Sequence, residues 1–570
     1  MKVSEYIADF LATRNINRIF GYIGGFNADI VDSFCQNPCN RFILNHHEQA
    51  AAFAVNAVST ITGKVAVVTS SGAPSTCNTV AGIANAYFDS HPCVFIVGSA
   101  HSLAIRKTPE MRQKGFEEID FVSMVSGIAK YAVRLRSPER IRFELEKAFY
   151  LAEEGRKGPV VLDIPYDLAR AEIDPDRLPP YPIPEPERFD DVDYRRITEL
   201  LTHSRRPVLL LGGGAGSAVC RKQVVELLDK VKLPAVATMC GLDVLGHEHP
   251  CFAGFIGHYG NRYANLAVAN CDLLLVLGAR LEERQLGGYL TKLDGNAKLI
   301  RVDIDRTELN TRIREDISIH SSVEAFLDGL LKQDLALDFA RWLECIRRWR
   351  ERYPSVPPAG DFNANHVVRQ LTEMLPEDGV VTADVGQNQM SVAQAAFLDG
   401  NKRLLNSAGY ASMGYSLPAA IGASFARPGT RIISFSGDGG IQMNIQELQT
   451  VAREKLPITI VVFNNGCLGM IRKLQEKLYQ NRTFVSVSGY SAPDFGAVAA
   501  AYKIPYLKIC SPDQLKELKA AVRCDGPYFV EAVLPLETDN IPEPGAVIDG
   551  QSPALSGDEM KLIKEECGAL

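Results

Sequence analysis

Apolar positions in the first third of the chain follow two periods. Residues 3–14 and 50–60 repeat their apolar side chains at helical spacing. Between them, Ile19-Phe20-Gly21-Tyr22 is a short apolar run entering a Gly24-Gly25 loop, and Phe42-Ile43-Leu44 is another. Segments 65–69, 93–97 and 159–165 are compact and β-branched, apolar at nearly every position. Such runs, separated by helical stretches, predict parallel strands covered by helices on both faces. The alternation returns in 207–211, 272–277 and 299–303, and a third time from about 362 to 540. The reading is α/β: three doubly wound parallel-sheet domains over 1–175, 190–340 and 360–545, with a tail over 546–570. The Pro-rich stretch 175–186 reads as an extended linker. A charged helical stretch, 339–352, and Pro354-Ser355-Val356-Pro357-Pro358 lead into the third unit. The Pro/Gly-rich then charged tail reads as a flap or a partly disordered segment.

Length supports that division, because 570 residues exceed what one core sustains. With 46% hydrophobic and 23% charged residues the chain is globular. A net charge of −7 and the lack of any Lys/Arg run argue against nucleic acid. No run of eighteen apolar residues and no signal-like N-terminus are found, so neither membrane nor secretion is expected. Thirteen cysteines without a Cys-x-x-Cys pair suit a reducing compartment and argue against zinc. A cytoplasmic protein is expected.

The stretch richest in chemistry is Ser436-Gly437-Asp438-Gly439-Gly440, which follows an apolar strand and opens a helical stretch over 441–452. A second apolar strand, 458–463, ends on Asn464-Asn465. This strand–turn–helix–strand spacing sets a carboxylate and an amide at neighbouring strand ends, where ligands of α/β sheets bind. Glycines admit a diphosphate to the backbone, and the oxygens of Asp438 and Asn465 suit Mg²⁺. An ordinary βα turn is the plain alternative for the Gly-Asp-Gly alone.

This pair resembles the metal-diphosphate motif of thiamine-diphosphate (ThDP) enzymes. With Asn464-Asn465-Gly466-Cys467-Leu468-Gly469-Met470 behind it, the stretch resembles the acetolactate synthase family in particular. Gly82-Ile83-Ala84-Asn85-Ala86-Tyr87-Phe88-Asp89-Ser90, Gly386-Gln387-Asn388-Gln389-Met390 and Leu417-Pro418-Ala419-Ala420 extend the likeness over nearly the whole chain. It implies a pyrimidine–middle–diphosphate order of domains. It also implies that Asp438, Asn465 and the Cys467 carbonyl ligate Mg²⁺. Gly386, Gln387 and Asn388, with Ser412, Gly437, Gly439, Gly440, Gly469 and Met470, would then hold ThDP, and Met413 would bend the cofactor between its rings. In Asn45-His46-His47-Glu48-Gln49, Glu48 resembles the carboxylate that bonds the cofactor's aminopyrimidine and promotes loss of the thiazolium proton, and the likeness implies that Asn78 also binds the cofactor. Without the likeness, that stretch reads as a helix start with an acid in its first turn.

In the middle unit, Gly257-His258-Tyr259-Gly260, Arg280-Leu281-Glu282-Glu283-Arg284 and Val302-Asp303-Ile304-Asp305 resemble the family's FAD-binding domain. The FAD contacts implied are Arg156, Gly213, Gly214, Thr238, Met239, Gly257, His258, Arg280, Arg284 and Asp303. Taken alone, Gly212-Gly213-Gly214 lacks G-x-G-x-x-G and reads as a tight turn.

The chain departs from the family pattern on the substrate side. Gly25, Phe116, Glu117 and Leu474 fall at catalytic or acceptor positions, but Glu117 replaces an amide and Leu474 replaces a Trp. Tyr166 stands for a lysine, Asn388 for a His, and Gly72-Ala73-Pro74-Ser75 for a Gly-Pro-Gly turn. The implied activity is decarboxylation of pyruvate or a related 2-oxo acid, followed by acyl transfer to a carbonyl acceptor, by a homodimer or homotetramer. The alternatives are a 2-oxo acid decarboxylase, acetyl transfer to a keto-sugar, and a non-catalytic homologue. A decarboxylase is disfavoured because Gly98-Ser99-Ala100-His101-Ser102 holds no His pair. A non-catalytic role is disfavoured because Glu48, Asp438 and Asn465 are all present.

Overall fold

The structure is a computed structural model that describes residues 1–108, 110–287, 297–357, 362–545 and 547–570. Pro358 of the second connector and residue 546, where the tail begins, lie outside the described residues.

The first unit carries β1 (Arg18–Gly21), β2 (Arg41–Leu44), β3 (Ala66–Ser71), β4 (Cys93–Ser99), β5 (Tyr131–Arg134) and β6 (Val160–Pro165). The second carries β7 (Pro207–Leu211), β8 (Ala235–Ala237), β9 (Phe252–Phe255), β10 (Leu273–Leu277), β11 (Lys298–Asp303) and β12 (Ile317–His320). The third carries β13 (Val380–Ala383), β14 (Arg403–Asn406), β15 (Ile432–Gly437), β16 (Ile458–Asn464), β17 (Tyr506–Ile509) and β18 (Tyr528–Val533). The central strands β3, β6, β7 and β10 are buried at every residue, which explains runs apolar on both faces.

Each sheet is parallel and six-stranded, with orders β2-β1-β3-β4-β6-β5, β12-β11-β10-β7-β8-β9 and β14-β13-β15-β16-β18-β17. In each, the chain moves outward one way and then reverses: between β1 and β3, β7 and β10, and β13 and β15. At such a reversal the loops leaving adjacent strand ends diverge and open a crevice. The three crevices are therefore bounded by Tyr22–Gly25 with Gly72, by Gly212–Gly214 with Gly278–Arg280, and by Asp384–Gly386 with Gly437–Gly440.

The units share cores. Helix Glu48–Thr62 of the first unit lies on helix Ser416–Ala426 of the third so closely that a Cβ on Gly422 would stand 2.0 Å from the Ala54 carbonyl oxygen. Two expectations differ from the structure. The helical stretch over 441–452 is broken into Asp438–Ile441, a 3-10 segment Gln442–Glu447 and Leu448–Glu454, with Asn444 at non-helical φ −136°. The tail, expected to be a flap or partly disordered, carries helix Gly557–Gly568. Its Ile563 and Cys567 are buried with Trp342 and Trp349 of helix Ala340–Arg352, and Glu566 accepts from Trp349 Nε1 at 2.7 Å and Arg352 Nη2 at 2.9 Å.

Candidate active site

β15 and β16 pair in register, with Gly437 opposite Phe463, so their ends set the Asp438 turn beside Asn464-Asn465. The Asp438 carboxylate accepts the N–H groups of Gly439 and Gly466, each at 2.9 Å. Burial pushes its carboxyl up to about 6, against the pull of those bonds and of the Tyr490 hydroxyl. A buried carboxylate so poorly compensated is a natural partner for a divalent cation. The two asparagines have different tasks. Asn464 donates to Glu531 at 2.6 Å within the sheet, whereas Asn465 donates to Gln387 Oε1 at 3.2 Å, which leaves its amide oxygen for another partner. Cys467 is buried next to them, and its backbone carbonyl is the third expected ligand.

Across the same crevice, Gly386 has φ +122° and starts helix Gln387–Ala395. Asn388 donates to the Val385 carbonyl at 3.3 Å, while its buried Oδ1 has no donor. A Cβ on Gly386 or Gly437 would stand 3.6 or 3.7 Å from Asn388 Nδ2, so the two glycines leave bare backbone on either side of this amide. Gln387 is pinned by its amide to Thr538 O at 2.8 Å, and a Cβ on Gly469 would fall 1.8 Å from its Oε1. Met470 follows in helix Gly469–Leu478, and the Ser412 N–H donates to Ser407 Oγ at 2.9 Å. Bare backbone, helix starts and an orphaned amide oxygen fit a diphosphate with its metal.

Met413 reaches this crevice through a residue the sequence reading missed. Buried Asp384 accepts the N–H of Gly414 at 2.9 Å and of Ser416 at 3.3 Å, and burial pushes its carboxyl up to about 6. That clamp holds the loop so that Met413 Cε lies 3.7 Å from where a Gly439 Cβ would be. A close Cβ–Asp384 approach, 3.0 Å to Cγ, likewise explains glycine at 440.

Glu48 opens helix Glu48–Thr62, capped by His47, whose Nδ1 accepts the Gln49 N–H at 3.1 Å. The Glu48 side chain is buried and accepts from Asn78 Nδ2 at 2.9 Å. Its backbone is framed from the third unit: Glu447 accepts the N–H groups of His46 at 2.7 Å and His47 at 3.0 Å. Asn444 donates both to Gln49 at 3.2 Å and to the Gly414 carbonyl at 2.9 Å, tying the Glu48 helix to the Met413 loop. These two tasks explain the break in the helix, since a regular helix could not turn both residues toward the first unit. Asn444 and Glu447 were missed because nothing local marks them. Among the described residues, the Glu48 carboxylate bonds no residue of the Asp438 group.

Of the substrate-side residues, Gly25 is open, with nothing within 4 Å of where a Cβ would stand, and Phe116 is 81% exposed. Glu117 has φ +53° and its carboxylate covers Gly72, where a Cβ would lie 2.0 Å from Oε2. Beside it, Phe26 stacks on Tyr166 at 5.4 Å, and His101 meets Tyr166 edge-on at 5.6 Å. Leu474 is 45% exposed on helix Gly469–Leu478 of the third unit.

The middle crevice opens into a cavity of about 440 Å³. Arg156, Gly213, Gly214, Thr238, Met239, His258, Arg280, Arg284 and Asp303 all line it. Gly257 lies behind the wall, with φ +98° and no room for a Cβ, which would sit 2.2 Å from the Arg284 carbonyl. The glycine turn is tight because a Cβ on Gly212 would meet Gly278 O at 2.1 Å. Arg156 is held by Asp305 at 3.2 Å and Glu308 at 2.8 Å. Bare backbone after β7 and a carboxylate ending β11 fit a nucleotide's phosphates and ribose.

Profiles of three domains match the chain in order: thiamine pyrophosphate enzyme, N-terminal TPP binding domain over 1–124, central domain over 194–330, and C-terminal TPP binding domain over 384–532. The acetolactate synthase isozyme 2 large subunit of Escherichia coli K12 is 32% identical, with 95% of this chain and 97% of that one covered. The acetolactate synthase large subunit of Lactococcus lactis subsp. lactis is 32% identical, with coverage of 93% and 92%. That of Porphyra purpurea is 33% identical, with coverage of 92% and 90%. Matched along its length and in all three crevices' parent domains, the chain belongs to the acetolactate synthase large-subunit family of thiamine-diphosphate enzymes.

Proposed function

We propose that this chain is a ThDP- and Mg²⁺-dependent carboligase that decarboxylates pyruvate and passes the two-carbon acyl unit to a carbonyl acceptor. The observation that carries this reading is the buried Asp438 carboxylate, beside Asn465 and between the bare glycines 386 and 437. Asp438, Asn465 and the Cys467 carbonyl would hold the metal, and Gly386, Asn388 and Gly437–Gly440 the diphosphate. Bound ThDP supplies the electron sink that decarboxylation requires. Glu48 would hold the proton on the cofactor's pyrimidine, a task that depends on its placement by Asn78 and by the Glu447-anchored turn. Met413, fixed through Asp384, would set the cofactor's bend.

The middle cavity is proposed to take FAD, since its volume lies in the range of cofactor clefts, about 300–1,000 Å³. The active unit is proposed to be at least a homodimer, Glu48 of one chain facing the Asp438 group of a second, with a tetramer as a pair of such dimers. No helix of the described residues is long and apolar enough to cross a membrane, and a cytosolic setting is proposed.

The acceptor is where this chain parts from its relatives. Leu474 in place of Trp widens one wall, and the Glu117 carboxylate repels a carboxylate-bearing acceptor. Both favour an uncharged or hydroxyl-rich carbonyl compound, a keto-sugar among them, over a second pyruvate. Product analysis at fixed pyruvate with ketone, 2-oxo acid and keto-sugar acceptors tests this, using wild type, Leu474→Trp and Glu117→Gln. Pocket contacts of methylene size shift selectivity about 10–200-fold. Acetolactate as the best product, unmoved by either substitution, would leave a plain acetolactate synthase.

A further inference from the structure

A second cavity, of about 330 Å³, lies at the opposite side of the first sheet, where its strands begin. Arg14, Arg18 and Lys64 line it, with Glu153 as the one lining carboxylate. Among the described residues, no carboxylate comes within ion-pair distance of those three cations. Arg14 instead lies over the rings of Phe10 at 5.2 Å and Phe149 at 5.6 Å. Helix ends account for part of this, because Arg14 follows helix Val3–Thr13 and Lys64 follows helix Glu48–Thr62, where cations offset the terminal carbonyls. They do not account for Arg18, which opens β1, or for a void shared by all three.

The cavity also has an informative place in the fold. One wall, Phe425 and Ala426, belongs to the third unit and closes helix Ser416–Ala426. Another, Thr62, ends the helix that starts at Glu48. The two helices run to this void from the catalytic crevices, over a length of about 20 Å. They meet closely at Gly422, where a Cβ would stand 2.0 Å from the Ala54 carbonyl oxygen, so a shift of one helix presses on the other.

We propose that this cavity binds a small phosphate-bearing anion and that its occupancy acts on the active site through the Glu48 helix and the Met413-side helix. Three cations against one carboxylate suit a dianion, and charge-assisted bonds to phosphate oxygens are the strong ones. An anion drawing Arg18 and Lys64 together pulls on the strand start and on the helix end at once. The effect on turnover rests on the proposed function above, whereas binding does not.

The test titrates inorganic phosphate, and separately adenosine 5′-monophosphate, into the cofactor-loaded enzyme by calorimetry, so that the ThDP crevice is already filled. Saturable binding of at least one probe is expected. The pair Arg18→Gln with Lys64→Gln should weaken it about tenfold or more, and Arg18→Lys should keep most of it. Phosphate alone binding as well as the nucleotide would identify the phosphate group as the whole determinant; a nucleotide preference would add its organic part. Turnover of pyruvate should change with the same midpoint as binding. No saturable binding, or equal binding by the double variant, overturns the site. Binding at the expected residues with unchanged turnover overturns the coupling and leaves the carboligase reading intact.

Discussion

The carboxylate of Glu447 accepts the backbone N–H of His47 at 3.0 Å, across 400 residues of chain, and so fixes where the helix carrying Glu48 begins. The same carboxylate takes the His46 N–H at 2.7 Å, Asn45 Nδ2 at 3.1 Å and Thr450 Oγ1 at 2.8 Å. Burial raises its carboxyl pKa, against the pull of these hydrogen bonds. Glu447→Ala leaves these donors without a partner, at about 1–3 kcal/mol for each buried group left unmade. The expected result is a lower denaturation midpoint together with a fall in turnover greater than the loss of folded enzyme. Turnover that merely tracks the folded fraction would reduce Glu447 to a packing role.

Glu48→Gln keeps the size and the contact with Asn78 but removes the carboxylate. Hydrogen–deuterium exchange at the thiazolium carbon of bound ThDP should slow roughly 10²–10⁴-fold, with ThDP affinity little changed. Wild-type exchange in this variant would assign the proton chemistry elsewhere.

Asp438→Ala removes both the proposed metal ligand and the acceptor for the Gly439 and Gly466 N–H groups. ThDP binding should lose its dependence on Mg²⁺ and weaken by two orders of magnitude or so, comparable to about 3 kcal/mol. Equilibrium dialysis with and without Mg²⁺ reads this directly. A metal-dependent affinity equal to wild type would remove Asp438 from the site.

His247 joins the second and third units, its ring nitrogens facing the carbonyls of Ala396 at 3.0 Å and Leu242 at 2.9 Å. Burial lowers its pKa to about 4, against the pull of those carbonyls and with a smaller push from Arg369 and Arg350. The unfolded chain, with an ordinary value near 6.5, therefore binds the proton more readily than the folded one. The contribution of a neutral His247 is fully present above pH 6.5 and is lost as pH falls toward 4. Roughly 3 kcal/mol is its upper bound. Denaturant titrations across that window should show the slope, and His247→Gln should flatten part of it; an unchanged slope would assign the acid sensitivity to other groups.

The pattern of residues along the chain was enough to find the most buried strands, such as β3, β4, β6, β7, β10, β15 and β16, and the Asp438–Asn465 pair, but not partly exposed edge strands such as β5, β12 and β17. Parallel strands buried on both faces must be apolar throughout, and two ligands joined by one strand–turn–helix–strand unit are tied by local geometry alone. Residues 156 and 303 were named only through family likeness, because β6 and β11 belong to different units and only tertiary packing brings both to one cavity. Asp384, Asn444 and Glu447 carried no local mark at all. A buried polar side chain is defined by the partners around it, and theirs come from loops and helices that the chain returns to after tens or hundreds of residues. The tail shows the same division. Its charge and prolines suggested disorder, but its helix packs on Trp349 and Arg352, more than 200 positions away, through Glu566 and the buried Ile563 and Cys567. Local spacing thus determined where the most buried strands run and which turn is polar, and long-range packing decided which side chains are held still enough to act.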